Sequence, residues 1–460
     1  MKENKHNKII GNIIIGSCIL ILVYLIISIY FIKHFNFGTI INGVNVSGKT
    51  INKANEKMFN EIKEYKLELK ERGGITEEIL GNDIGLKYNS DIKIQKIKEN
   101  QNGFGWISGL ISKKNYKISE MFLYDEELLK AKFSTLSCIS SENIVNPSSV
   151  KFEYIDEGYI TINEVYGNKV NEEILYKNIE DAVRFGEVVL NLEVTNSYEN
   201  PKYVATSKEA VEAKNILDIY NSSEIIYIFD EDEEIVDGST INSWININEN
   251  LEVAIDEEEV KNYVNTLARQ YNTVGITRNF KTAYGKKIEV PGGYYGWKIN
   301  IFGEVDALIE NVKNGEKITK EPLYIQNAIE RGRDDIGDTY VEISINRQYL
   351  WFHKDGKIIA EGDIVTGDIN RGFETSVGTY MLTYKQKEAT LEGENYSSKV
   401  KYWMPFNGNI GVHDASWRYS FGGNIYKENG THGCVNAPEY LAKKIFENIE
   451  EGTPIICYFE

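Results

Sequence analysis

From Ile9 to Ile32 the chain runs without a single charged side chain. At 1.5 Å of helical rise per residue, such a run crosses a hydrocarbon layer of about 30 Å, so it predicts a transmembrane helix over residues 9–32. A cleaved signal peptide is the rival reading. The apolar run is longer than an ordinary signal core, however, and Phe31-Ile32-Lys33-His34-Phe35 offers no small-residue cleavage site. An uncleaved anchor is the expectation. The leader, residues 1–8, carries Lys2, Lys5 and Lys8 against Glu3, which by the positive-inside bias makes it cytoplasmic and puts the chain beyond Lys33 outside.

The chain has 460 residues, too many for one hydrophobic core, since cores stop growing at roughly 250. Three folded units are expected. The balance of 51 basic against 69 acidic residues gives a net charge of -18, which repels nucleic acid and anionic lipid surfaces; no nucleic-acid partner is expected. The four cysteines, Cys18, Cys138, Cys434 and Cys457, lack the paired spacing of a zinc site or a disulfide framework. Cys18 falls in the apolar run, Cys457 in the strand-like Ile455-Ile456-Cys457-Tyr458, and Cys138 after a helical stretch, where each reads as a small hydrophobe. Cys434 is left to explain.

Self-similarity organises the middle of the chain. Tyr124-Asp125-Glu126-Glu127-Leu128-Leu129-Lys130 recurs as Ile255-Asp256-Glu257-Glu258-Glu259-Val260-Lys261. Each copy sets an Asp that can cap a helix before apolar residues at helical spacing. A second match, at nearly the same offset, pairs Gly167-Asn168-Lys169-Val170-Asn171 with Gly296-Trp297-Lys298-Ile299-Asn300, and each is followed by a Gly-Glu pair, 186–187 and 315–316. Two α+β repeat modules are predicted, the first with its lead-in over 38–200 and the second over 201–330. The acidic run Asp230-Glu231-Asp232-Glu233-Glu234 lies between apolar segments and lacks the alternating ligands and central glycine of a calcium loop, so it reads as a solvated hairpin tip.

Beyond about Gly337 the pattern turns to short strands. Val341, Ile343 and Ile345 alternate with polar residues, and the Asp355-Gly356 pair between Tyr349-to-Phe352 and Ile358-Ile359 signals a hairpin. Further strands are expected at Ile364-Val365, Tyr380 to Thr383 and Ile455 to Phe459, and one helix over Ala437 to Glu450. Residues 336–460 thus form a mostly-β domain.

Within that domain His413-Asp414 precedes a Gly- and aromatic-rich loop containing Trp417, and then comes Thr431-His432-Gly433-Cys434-Val435-Asn436. A free thiol with an ordinary pKa near 8.5 is only a few per cent thiolate at neutral pH. A nearby imidazole can raise that fraction and later return the proton to a leaving group. Gly433 suits an exposed turn whose amides face a developing oxyanion, and in an extended segment His432 and Cys434 would share a face. Two other readings stay open on spacing alone: a buried thiol among surface histidines, and a zinc set of His413, His432 and Cys434.

At these residues the sequence resembles the L,D-transpeptidase catalytic domain family, whose pattern is a histidine, a spacer, then Ser/Thr-His-Gly-Cys, an apolar residue and Asn or Arg. His413, the spacer 414–430 and Thr431 to Asn436 follow it. Val365-Thr366-Gly367 and Thr375-Ser376-Val377-Gly378-Thr379-Tyr380 are similar to the family's strand-turn elements, although prolines often found around the second are absent. The repeats resemble the peptidoglycan-binding modules that precede this domain in membrane-anchored members, through Arg278-Asn279-Phe280-Lys281-Thr282 and Gly293-Tyr294-Tyr295-Gly296-Trp297-Lys298-Ile299.

The resemblance implies a wall-facing enzyme in which Cys434 attacks the third residue of a tetrapeptide stem, expels D-Ala and leaves a thioester. His413 would be general base and acid, and Asp414 would orient it through its main-chain carbonyl. Amides of Gly433 and Cys434 would hold the oxyanion, and Thr431, His432, Asn436 and Trp417 would meet substrate. Donor and acceptor are both peptidoglycan stem peptides, joined as 3-3 cross-links, with no metal or organic cofactor. Two alternatives remain: the same thioester resolved by water, giving a carboxypeptidase or endopeptidase, and a non-catalytic wall-binding protein.

Overall fold

The Asp125 carboxylate accepts hydrogen bonds from the amides of Glu127 and Leu128, and Asp256 does the same for Glu258 and Glu259. Each cap satisfies amides that a helix start leaves unpaired, a contribution of about 1 kcal/mol. In the computed structural model, which describes residues 2–89, 91, 94–140, 142–156, 158–393 and 396–460, these caps open equivalent helices in two successive modules. Met1, part of the expected leader, lies outside the described residues. The chain divides into two compact units, Met1–Lys151 with Thr161–Ala210, and Phe152–Ile160 with Val211–Glu460.

The first unit begins with α1 (Lys2–Lys33), a helix long and apolar enough to cross a membrane; over His6–Lys33 its mean hydropathy peaks at 2.8 and most of its side chains are exposed. Its last turn enters a small core, with Phe31 and Phe35 buried. The expected lead-in is itself folded: Thr50 caps a helix, Ile51–Lys63, whose Ala54, Met58 and Ile62 pack in a core with Phe35, Ile41 and Met121. The first module follows. Strands β1 (Lys66–Lys70) and β2 (Thr76–Leu80) form a hairpin, then come α2 (Glu126–Phe133), α3 (Glu172–Phe185) and β3 (Val189–Asn191), which pairs parallel to β1.

The second module, in the second unit, has the same opening hairpin, two capped helices and closing parallel strand. Strands β4 (Glu224–Phe229) and β5 (Asp232–Val236) form the hairpin. After them come α4 (Glu257–Tyr271), the hairpin β6 (Arg278–Lys281) with β7 (Lys287–Val290), α5 (Ile301–Lys313) and β8 (Lys317–Lys320), parallel to β4. The matching Asn171 and Asn300 cap α3 and α5, and Gly186 and Gly315, both left-handed, follow their ends. The modules differ in what separates hairpin from helix: the long segment 81–125 in the first and the shorter 237–256 in the second. The acidic run spans the β4–β5 turn, Asp230 and Glu231, and the start of β5, with Asp230 at a left-handed φ of 62°.

The C-terminal domain pairs two sheets over one core. The larger contains β9 (Tyr340–Ser344), β10 (Tyr349–Lys354), β11 (Lys357–Asp363), β12 (Gly378–Met381) and, from the far end of the chain, β17 (Pro454–Tyr458), in the order β11-β10-β9-β17-β12. Asp355 and Gly356, at φ of 49° and 71°, make the tight turn their sequence announces. The smaller sheet runs β13 (Gln386–Gly393), β14 (Tyr396–Asn407), β15 (Ile410–Asp414) and β16 (Val435–Ala437). Helix α6 (Glu439–Asn448) supplies Leu441 and Ile445 to the shared core with Val341, Phe352, Met404 and Val412.

One expectation is corrected, and two features lie outside the sequence reading. Ile364-Val365 is not a strand; Val365 makes an isolated bridge to Asn436. The β13–β14 hairpin, rich in charge, carries no clean alternation and is absent from the reading by period. The alternation on β9 does not mark a solvated face either: Glu342 and Ser344 are fully buried, because the β6–β7 region packs over that side. Glu342 accepts hydrogen bonds from the Ala283 amide and the Tyr458 hydroxyl.

The stretches chosen for their likeness to wall-binding modules, 278–282 and 293–299, form this joint. Arg278 meets Asp335 through two hydrogen bonds, Nε to Oδ1 at 2.7 Å and Nη2 to Oδ2 at 2.8 Å, and both side chains are buried. Thr273 donates to the same carboxylate, and the Tyr295 hydroxyl donates to the Asp335 carbonyl. Gly293 pairs with Thr379 so closely that a Cβ there would stand 1.9 Å from the Thr379 carbonyl oxygen. Asp335→Ala strands Arg278 as an unpaired buried charge and is expected to lower stability by about 3–5 kcal/mol, read from the urea-unfolding midpoint. A change below about 0.5 kcal/mol, the size usual for a surface substitution, would show that the pair does not hold the joint.

Candidate active site

The site is built on β15, whose two neighbours bring the remaining residues to it. On one side β14 pairs antiparallel, setting Trp403 opposite His413 and Pro405 opposite Gly411. On the other β16 pairs parallel, setting Val412 opposite Val435 and His413 opposite Asn436. Side chains alternate along a strand, so Val412 and Val435 enter the core while His413 and Asn436 lie on the other face. Cys434 immediately precedes β16.

His413 is buried, with its ring centroid 5.8 Å from Trp403 and 6.0 Å from Trp417. Its Nδ1 lies 2.9 Å from the Asp414 main-chain oxygen. A carbonyl can only accept, so Nδ1 carries the hydrogen, and in the neutral ring Nε2 is left with a free lone pair. Burial pushes the imidazole pKa below its ordinary value; the Asp414 carbonyl and charge oppose that shift, and Arg418 adds to it. The Asp414 carboxylate faces away from this task. Its Oδ1 accepts the Lys401 and Tyr402 amides, each at 2.8 Å, and so ties β15 to β14.

Cys434 is half-buried against the cluster of Ala389, Val400 and Trp403, so thiol and imidazole both border Trp403. Its Sγ is 3.6 Å from the Asn409 carbonyl, toward which the S–H donates. Burial raises the thiol pKa, partly offset by a backbone hydrogen bond from Gly411. Gly411 is required for this packing: a Cβ there would lie 2.6 Å from the Met404 oxygen and 2.8 Å from the Trp403 ring.

The run before Cys434 is a tight turn, as expected for Gly433, and not an extended segment. Gly433 has φ of +115°. The Thr431 hydroxyl donates to the Cys434 carbonyl at 2.6 Å and accepts from the Gly433 amide at 3.0 Å. The Gly433 amide and the Thr431 hydroxyl, expected at the oxyanion and at the substrate, are hydrogen-bonded to each other within this turn. Because the segment is not extended, the alternation argument for His432 and Cys434 does not apply. His432 is exposed, with its ring 4.7 Å from that of Phe373. Trp417 stands half-exposed at the rim beside His413. Asn436 is buried, and its backbone exchanges two hydrogen bonds with Val365.

Several residues escaped the sequence reading. Thr375 donates to the Gly433 carbonyl at 2.7 Å and accepts from the Gly367 amide, joining two distant loops under the turn. Arg418 donates to the carbonyls of Asn429 and Gly430 and spans the loop between His413 and Thr431. Trp403 was the most accessible to sequence reasoning, as an aromatic in the apolar run Tyr402 to Phe406. Among the described residues, only the donor atoms of Glu71, Glu77 and Cys138 gather within 4.8 Å of one another, so His413, His432 and Cys434 do not form the zinc set left open above.

Residues 338–457 match the family model of the L,D-transpeptidase catalytic domain, and 210–320 match the one described as "Putative peptidoglycan binding domain". A cysteine-to-serine variant of the Enterococcus faecium L,D-transpeptidase is 33% identical over 55% of this chain and 100% of its own, with a TM-score of 0.44. The chain belongs to the L,D-transpeptidase family. The Enterococcus faecium L,D-transpeptidase catalytic domain acylated by ertapenem is 38% identical over 26% of this chain and 97% of its own, with a TM-score of 0.25. An L,D-transpeptidase from Mycobacterium tuberculosis is 20% identical over 26% of this chain and 57% of its own, with a TM-score of 0.24. No curated protein matches the chain.

In this L,D-transpeptidase the two pKa directions combine simply: a raised thiol and a lowered imidazole make the resting pair neutral, Cys–SH beside unprotonated His. Iodoacetamide labelling of Cys434 is therefore expected to climb with pH and reach half-maximum above the ordinary thiol range. Full labelling already at about pH 7 would reveal a resting thiolate–imidazolium pair instead.

Proposed function

We propose that Cys434 is the nucleophile and His413 the general base and acid of peptidoglycan cross-linking. The observation that carries this reading is the Nδ1 lock of His413 on the Asp414 carbonyl, on a strand paired in parallel with the one that Cys434 leads. It leaves Nε2 as the basic nitrogen, and the thiol and the ring both border Trp403. As the stem's third residue approaches, Nε2 takes the thiol proton while sulfur attacks the carbonyl. The tetrahedral intermediate collapses, its C–N bond breaks, and the imidazolium returns the proton to the departing D-Ala amine, leaving a thioester. The acceptor amine then attacks, His413 removes its proton, and the thiolate leaves and is reprotonated, completing a 3-3 cross-link.

With the Gly433 amide engaged, the Cys434 amide takes the oxyanion role. Trp417, Asn436 and His432 are the side chains proposed to border the stem. The acylation by ertapenem described for the Enterococcus faecium domain supports an acyl-enzyme here. Helix α1 is proposed as the uncleaved anchor, with the modules as wall-facing spacers. In the second module a cavity of about 770 Å3, bordered by Tyr271, Trp297, Tyr324 and Arg331, is the proposed contact with the wall polymer.

Cys434→Ala is expected to abolish both cross-linking of purified tetrapeptide muropeptides and the covalent carbapenem adduct seen by mass spectrometry. An adduct on another residue would end the assignment. His413→Ala should slow acylation by about 10²- to 10⁴-fold. Asp414→Asn, whose Oδ1 can still accept both β14 amides and whose carbonyl is unchanged, should stay within about tenfold of the parent; a loss as deep as that of His413→Ala would move the orienting role to the carboxylate. Because catalysis needs the unprotonated ring, the acylation rate should fall as pH drops through a value below 6.5.

A further inference from the structure

Residues 103–111, Gly-Phe-Gly-Trp-Ile-Ser-Gly-Leu-Ile, return to the helix that precedes the folded part of the first unit. The Tyr24 hydroxyl donates to the Phe104 carbonyl at 2.6 Å, and the Trp106 indole donates to the Ser28 hydroxyl at 3.2 Å. Gly103 passes so near α1 that a Cβ would lie 3.0 Å from the Ser28 oxygen. The Trp106 ring sits about 6 Å from those of Tyr24, Phe31 and Phe37.

These contacts fix a level along the helix. Tyr24 precedes Lys33, the first charge after the apolar run, by about 13 Å along the axis. The loop is therefore held against the last turns of the apolar run and not beyond its charged end. What it shows to its surroundings is apolar: Ile111 is 88% exposed, Leu110 61%, and Phe104 and Ile107 46% each. A loop can enter an apolar layer only when its backbone is satisfied internally. Here the Gly105, Gly109, Leu110 and Ser112 amides donate to carbonyls within the segment or at Asn102, the Phe104 amide donates to the Asn102 side chain, and Ser108 donates to the Gly105 carbonyl. Lys113 and Lys114 follow at once, both exposed, with no acidic residue between 100 and 119. The net repulsion of anionic lipid expected from the whole chain is thus locally reversed.

We propose that residues 103–111 dip into the bilayer leaflet beside α1, with the boundary between phospholipid acyl chains and headgroups as their partner. This rests on the reading of α1 as an anchor. Continuity with α1 selects lipid as the occupant, because the exposed apolar faces of loop and helix lie side by side at one level. The consequence is a two-point mount. A single helix would leave the first unit free to swing, whereas helix and loop together hold it to the membrane surface.

The test uses the full chain in phosphatidylglycerol–phosphatidylethanolamine vesicles that contain a phospholipid with a photoactivated carbene precursor on its acyl chain, with adducts mapped by peptide mass spectrometry. Adducts are expected on both α1 and residues 104–111. Adducts on α1 alone would overturn the proposal, leaving the apolar loop for a protein partner while the anchor stands. Adducts on neither would overturn the anchor reading as well. Substitution of Ile107→Ser, Leu110→Ser and Ile111→Ser together, at side chains the fold leaves exposed, should remove the loop adducts and keep those on α1 and the transpeptidation of soluble muropeptides. Loop labelling at the parent level in that variant would count against the proposal.

Discussion

The parallel pairing of β15 with β16 is the constraint on which the site depends. It joins two segments separated by a long loop, and it sets them in one register, Val412 on Val435 and His413 on Asn436. A slip by one residue would send His413 into the core and Val412 toward the cleft, since strand side chains alternate. The register is held from several directions. The Asp414 carboxylate binds two β14 amides, Asn436 exchanges backbone hydrogen bonds with Val365, and Arg418 clasps the loop that connects the pair. None of these groups performs chemistry, yet each limits where thiol and imidazole can go.

Burial then sets the electrostatics. The ordinary thiol pKa lies above that of an imidazole, so the pair is mostly neutral even in water, and a low-dielectric pocket penalises both charges further. Such a thiol is protected from adventitious alkylation and oxidation, which follow thiolate character.

The same logic explains the β9 surprise. A strand alternating apolar and polar residues ordinarily has one face in water, and nothing local distinguishes Glu342 from a solvated carboxylate. Its burial comes from the β6–β7 hairpin, far earlier in the chain, and from Tyr458 near its end. The joint gives work to side chains such as Arg278 and Tyr295, which lie in the stretches that carry the likeness to peptidoglycan-binding modules. A motif shared with a family can thus be answering to a structural partner.

What the sequence by itself determined was whatever depends on local period or on residue type: the membrane-length apolar run, the two modules through their Asp and Asn caps, the Asp355-Gly356 turn, and the His413 and Cys434 pair inside a family pattern. These are written in neighbours, because helix caps, turns and strand alternation involve residues a few positions apart. The tertiary structure alone decided the rest: that the Gly433 amide is engaged while the turn bends at a left-handed glycine, that Thr375 and Trp403 support the site, that Glu342 is buried, and that a loop at 103–111 returns to α1. Apart from the Gly433 turn, whose amide bonds the Thr431 side chain two residues away, each of these rests on contact between segments far apart in the chain. Burial and hydrogen-bond partnership are properties of that contact, and no window along the sequence contains both partners.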